Sequence, residues 1–217
     1  MRGIGVLSLV STFRGYLAKP HVRLRLAPLQ LGSRLEDYLV KEFMQFVYWQ
    51  SKGRRYCACN VGNRKEQKVD IALLKKPAQE PVVEALVEVK YLQNRSLGSE
   101  GDNLRDQIRA TLKDLQRQLR LAPSSMHGGY DVALRARSVS VYGLVLASYA
   151  CRVDEEDAKG KQKRFIQKIR TVADDLGLQY HDLPKPYLYP VYEGHPISYL
   201  GERWRVSLYA GLWRRRK

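Results

Sequence analysis

Residues 82–91, VVEALVEVKY, constrain this chain more than any other stretch. Val, Ala and Leu recur with a period of two, the signature of a β-strand buried within a sheet. Side chains alternate across a strand, so Val83, Ala85, Val87 and Val89 are expected on one face, with Glu84, Leu86, Glu88 and Lys90 on the other. The first set is uniformly apolar and reads as core. The second places a carboxylate and an ammonium two residues apart inside an apolar run. Charges so placed are costly unless they are paired or bound to something.

Asp70 stands eighteen residues before Glu88 (88 − 70), at the start of the apolar run Ile71, Ala72, Leu73 and Leu74. Residues 75–81 hold Pro77 and Pro81 and read as a turn. Strands at 68–74 and 82–91 thus become neighbours, which brings the carboxylates of Asp70 and Glu88 toward each other. Two close carboxylates repel, and a divalent cation relieves the repulsion. Hard oxygen donors favour Mg²⁺, with Mn²⁺ as a substitute.

The rest of the chain supplies the frame. Residues 33–50 show a helical stripe of Leu35, Leu39, Phe43, Phe46 and Val47, and Ser33 with Glu36 matches a capping box. Strands are expected at 56–61 and 68–74. A helix over 103–121 carries Leu104, Ile108, Leu112, Leu115 and Leu119 on one side. Its other side bears Arg105, Arg109, Lys113, Arg117 and Arg120. An apolar strand follows at 139–150, then an amphipathic helix over 154–178 with acids in its first turn and Gly177 near its end. Residues 203–213 alternate like a strand. The expected class is α/β: a mixed central sheet flanked by helices, in one domain spanning 1–217. Its core covers about 33–150, with an N-terminal hairpin in 1–32 and a C-terminal helix and strand in 151–217.

The hairpin expectation rests on strand-like residues 4–10 and on alternation over 21–26. Residues 1–34 also hold Arg2, Arg14, Lys19, Arg23, Arg25 and Arg34 and no acid, a composition shared with organelle transit peptides. Import into an organelle therefore stays open beside a cytoplasmic or nucleoid-associated location. Cys57, Cys59 and Cys151 fit neither a disulfide framework nor a paired zinc knuckle, which points to a reducing, intracellular setting. The four histidines are scattered, so a histidine-based metal or nucleophile site is not supported.

With 38 Lys and Arg against 22 Asp and Glu, the net charge is +16. Clustered cations gain affinity for a phosphate backbone by releasing its condensed counterions. No apolar run approaches the roughly 18 residues a spanning helix requires. Nucleic acid, rather than membrane, is the expected partner, through Arg105, Arg109, Lys113 and Arg117, the run 159–170 and the terminal Arg214, Arg215, Arg216 and Lys217.

Val69-Asp70 followed by Glu88-Val89-Lys90 at the end of a strand, in an αβββαβ element order, resembles the PD-(D/E)xK nuclease superfamily with its restriction-endonuclease-like fold. The resemblance covers about 33–150. It implies Mg²⁺ held by Asp70 and Glu88, with the Val89 carbonyl contributing, and hydrolysis of DNA phosphodiesters by an endonuclease. It implies that Lys90 orients or activates the attacking water and stabilises charge on the phosphate. Glu36 occupies a position where many members carry an additional acidic ligand; a helix cap explains it equally well. Position 69 is Val where the motif has Pro, and Gln107 is followed four residues on by Thr111 where one subgroup has Tyr. A second reading keeps the fold but not the chemistry: a catalytically inactive DNA-binding or assembly subunit, with Glu88 and Lys90 as an ordinary ion pair. DNA against RNA, endonuclease against exonuclease, and homodimer or larger nucleoprotein assembly against monomer stay open on the sequence.

Overall fold

A computed structural model describes residues 16, 19–22, 35–63, 67–75, 82–94, 102–120, 126–127, 133–180, 188–193 and 196–215. In chain order the elements are α1 (Leu35–Gln50), β1 (Arg55–Asn63), β2 (Gln67–Lys75), β3 (Val82–Gln93), α2 (Asp102–Gln118), β4 (Met126–His127) and β5 (Ala133–Arg152). There follow α3 (Ala158–Asp175), β6 (Leu178–Tyr180), β7 (Tyr189–Glu193), β8 (Ile197–Tyr199) and β9 (Glu202–Arg215). The α/β class with a mixed sheet is as the sequence implies.

The strands β1, β2 and β3 form an antiparallel meander, with Ala58 opposite Ala72 and Ala72 opposite Leu86. On its other edge β3 pairs in parallel with β5, from Val82 beside Arg135 to Gln93 beside Ser148. The parallel step needs a crossover, and α2 lies within it. Next, β5 pairs antiparallel with β9, which is edged end to end by β6, β7 and β8. Short β4 ties the start of β5 to the end of β1, at Gly62 opposite His127, and closes one corner of the sheet.

The helices cover opposite faces. Leu39, Phe43, Phe46 and Val47 of α1 pack on Ile71, Leu73, Ala85, Val87 and Val89. Leu104, Ile108, Leu112 and Leu115 of α2 share a second core with Val145, Ala147 and Tyr149 of β5 and with Phe165, Ile166 and Ile169 of α3. Of the apolar stripes read from the sequence, Leu39, Phe43, Phe46 and Val47 and Leu104, Ile108, Leu112 and Leu115 are buried, with Leu119 partly so. Leu92 joins the second core, which puts the Glu88, Lys90 and Leu92 row of β3 on the α2 side.

Four sequence expectations need correction or bounding. Val83 does not share a face with Ala85: it packs with Ala72, Leu74 and Leu86, because the register slips between Val83 and Ala85 and flips the side chain. The strand expected from His21 does not start there. Residues 20–22 are helical, Pro20 suits a first helical turn, and Val22 is buried against α1. Residues 4–10 and 23–26 lie outside the described residues, as does Ser33 of the capping box. Finally, α3 starts at Ala158 and not at 154, so its acids precede the helix. Asp157 sits in the left-handed region (φ 50°) and makes no side-chain cap.

Gly143 of β5 lies beside Glu88 in the parallel ladder and under Leu115 of α2. A Cβ there would stand 2.7 Å from Leu115 Cδ1 and 3.1 Å from its Cγ. Leu115 is fully buried and has little room to yield. Gly143→Ala is expected to cost about 1–3 kcal/mol of stability, read from denaturant midpoints. A neutral effect would mean that α2 does not rest this closely on the sheet.

Candidate functional site

The candidate site lies where β2 and β3 stop pairing. Their last paired residues are Ile71 and Val87. One step further, Asp70 comes against Glu88, and the Val89 N–H donates to Asp70 Oδ2 at 2.7 Å. A side chain thus satisfies a strand N–H that the splayed ladder leaves over. It also fixes Asp70 at the residue between Glu88 and Lys90.

Glu88 is 4% exposed. Its Oε1 lies 2.7 Å from Lys90 Nζ, while its Oε2 is buried with no hydrogen-bond partner among the described residues. Lys90 Nζ is also 2.7 Å from Asp114 Oδ2 on α2, and Asp114 Oδ1 accepts from Arg117 Nη2 at 2.7 Å. The sequence reading of α2 as a cationic face missed Asp114. Its signal was a carboxylate between Lys113 and Arg117, next to the apolar stripe residues Leu112 and Leu115. Glu84, on the same strand, pairs separately with Arg55 at 2.6 Å.

Electrostatics separate these groups. Burial pushes the Glu36 carboxyl up to about 7, with the Asp70 charge adding to it, Lys90 opposing it, and Asp37 and Glu88 adding further. Burial also raises Asp70, against the Val89 N–H and Lys90. Glu88 is raised by burial and by Asp70, against the Lys90 ammonium. Burial works downward on Lys90, but its bonds to Asp114 and Glu88 outweigh it and lift the ammonium to about 12. Burial works upward on Asp114, and Lys90 with Arg117 hold it below the usual carboxylate range. Tyr91 next door is pushed up to about 12 by burial and the Glu36 charge, against the Ser148 hydroxyl.

Asp70, Glu88, Lys90 and Glu36 therefore belong to one electrostatic neighbourhood, with Glu36 arriving on the first turn of α1 from the opposite face. Among the described residues, no three His, Cys, Asp or Glu side chains converge closely enough to enclose a metal ion. The donor set nonetheless suits a hard cation: only carboxylates, raised by burial and mutual repulsion, with one buried oxygen left over.

The four basic residues of α2 have different surroundings. Arg105 is exposed and lies 3.5 Å from Asp175, Arg117 is bound to Asp114, and Lys113 is exposed. Arg109 is half-buried, its Nε without a hydrogen-bond partner among the described residues. Gln107 donates to Asn103 within the helix at 2.9 Å. Cys151 is a buried free thiol. No helix among the described residues is long and apolar enough to cross a membrane.

No family model matches the chain, and neither the curated proteins nor the solved structures contain a match to it.

The raised Glu36 carboxyl predicts a pH signature. Its folded value, about 7, lies above the ordinary 4.5, so its contribution to stability is full below pH 4.5 and is lost as pH rises through about 7. Glu36→Gln lacks that loss. The thermal midpoint of the variant relative to the parent should climb between pH 4.5 and 8, in the absence of divalent cations. A flat difference across that window would show Glu36 to be solvated in the folded protein.

Proposed function

We propose that this chain is a metal-dependent nuclease hydrolysing phosphodiester bonds in DNA, with a PD-(D/E)xK, restriction-endonuclease-like arrangement of its site. One observation carries the reading. Asp70 is hydrogen-bonded to the backbone N–H of Val89, between Glu88 and Lys90, so two carboxylates and an ammonium meet at the splayed end of β3. The order α1, β1, β2, β3, α2 and then β5, with β3 and β5 parallel, supports the same reading.

Asp70 and Glu88 would hold Mg²⁺ or Mn²⁺, with the Val89 carbonyl and Glu36 as further oxygen donors. Such an ion supplies polarisation of the phosphoryl oxygen and a bound water of lowered pKa. The residues themselves divide the remaining work. Lys90, at about 12, keeps its proton at neutral pH, so it acts as fixed positive charge facing the developing charge on phosphate and not as a base. Glu36, near 7 with no cation bound, would give up its proton on joining the ion, which ties cation binding to pH in the neutral range. Asp114 positions Lys90 from α2.

The binding-subunit reading draws on a different observation: Lys90 is engaged by Asp114 as well as Glu88, and the carboxylates do not converge on an ion as they stand. The two readings separate on purified protein incubated with labelled duplex, single-stranded and branched DNA, with Mg²⁺, Mn²⁺ or chelator. The nuclease reading expects cutting that depends on the metal and falls on the order of a thousandfold or more in Asp70→Ala and in Glu88→Ala. Cutting that persists in chelator, or in both variants, overturns the assignment. Tight binding with no cutting of any DNA form leaves the binding subunit.

Lys90→Ala tests the division of labour. It strands the buried Glu88 charge, so both thermal midpoint and turnover should drop. Asp114→Asn keeps the Lys90 ammonium beside Glu88 and should lower turnover less than Lys90→Ala does. Equal turnover in Lys90→Ala and the parent would remove Lys90 from the chemistry.

A further inference from the structure

A second feature of the molecule lies far from Glu88. Between α3 and the β5–β9 sheet runs a groove of about 440 Å³. Lys159, Lys163 and Arg170 line it from α3, Arg205 from β9, and Cys151 from β5, and no carboxylate is among its lining residues. Among the described residues no ion pair engages Lys159, Lys163 or Arg205, whereas neighbouring Lys161, Arg164 and Arg152 are held by Glu155, Asp157 and Glu202. Three of the groove's four cations thus stand without an ion pair among the described residues, while the fourth, Arg170, donates to the Leu188 carbonyl at 3.2 Å. Its floor is polar: Ser207 is buried, and Gln162 donates to the Tyr209 hydroxyl at 2.6 Å.

The groove shares a face of the sheet with the candidate site but is not part of it. Gly143 lies beside Glu88, and Cys151 is eight residues further along β5 (151 − 143), roughly 26 Å at strand spacing. Lys159 and Lys163 stand four residues apart on α3 (163 − 159), roughly 6 Å, and Arg205 lines the groove from β9. Cations on two walls of a groove without carboxylates suit a phosphodiester chain lying between them, each cation neutralising a different phosphate.

We propose that this groove is a second, remote phosphate-backbone site that holds a nucleic-acid strand while the Glu88 end is free to act on it. The inference rests on the nuclease reading only in taking nucleic acid as the polyanion. Its readout is binding without divalent cations, so it stands or falls separately from cutting.

The test compares the parent with Lys163→Glu/Arg205→Glu by fluorescence anisotropy on a labelled 30-nucleotide strand and on its duplex, across a salt series. Affinity should fall tenfold or more for at least one of these, and the log–log salt slope should flatten by about 0.7–0.9 for each phosphate no longer neutralised. Lys41→Glu/Arg54→Glu makes the same change in net charge on exposed residues elsewhere and should cost twofold or less. If both pairs weaken binding equally, the effect is net charge and the site is overturned; unchanged affinity overturns it directly. Should the Arg205 variant fail to fold, Lys159→Ala/Lys163→Ala decides by the same criterion, with about threefold loss expected. A mononucleotide that competes fully at micromolar concentration would mark a small-ligand pocket and also overturn the strand site.

Discussion

The ammonium of Lys90, 2.7 Å from both Glu88 and Asp114, is what allows a carboxylate to sit 4% exposed in the body of the sheet. Without it, the buried charge would be neutralised by protonation or would force the strands apart. The same contact fixes the docking of α2, because Asp114 reaches Lys90 only if Leu112 and Leu115, its neighbours on the helix, are seated on the sheet. Gly143 completes the requirement by leaving room for Leu115. Charge pairing and apolar packing therefore specify one helix position between them.

The strand carrying these charges has a partner on each edge, β2 antiparallel and β5 parallel. A strand held on both edges cannot slide without moving every charge to the other face. The slip between Val83 and Ala85 shows how local such a flip can be, since it turns Val83 but leaves the row from Glu88 to Leu92 on the α2 side. At the opposite end the ladder to β2 stops at Ile71, and the Asp70 carboxylate takes over the Val89 N–H. The site is thus made where regular pairing gives out, with polar side chains standing in for backbone.

Periodicity made α1, β1, β2, β3, α2, β5, α3 and β9 legible, because each buries a stripe or face whose spacing survives in one dimension. What it missed depends on partners distant in sequence. The strands β6, β7 and β8 are three to five residues long and gain their definition from the edge of β9. Nothing in residues 133–138 announces that β5 begins there; β3 and β4 supply that. Glu88 and Lys90 on one face were legible from alternation, and Asp70 beside them from the turn that makes β2 and β3 neighbours. Asp114 was not, since an acid three residues before Arg117 looks like a local i, i+3 pair until the helix is laid on the sheet. Helix 154–178 was drawn too long for a similar reason: the acids at 154–157 suit a first turn, but Asp157 adopts φ 50° and starts the helix after them.

The charge of the molecule has two length scales that oppose each other. Over the whole chain it is +16, a field that draws polyanions but is screened beyond about 8 Å at physiological salt. Within the candidate site four carboxylates, Glu36, Asp70, Glu88 and Asp114, face two cations, Lys90 and Arg117. A phosphate brought close by the long-range field would meet net repulsion at short range, and a hard cation among those oxygens would reverse it. Arg105 and Arg117 each stand in an exposed ion pair, with Asp175 and Asp114. Lys159, Lys163 and Arg205 have no such engagement among the described residues, and they lie away from the acidic cluster. Under the proposed reading, separating cations without ion pairs from paired ones would let attraction and chemistry be governed by different residues, so the remote groove and the Glu88 site can be dissected independently.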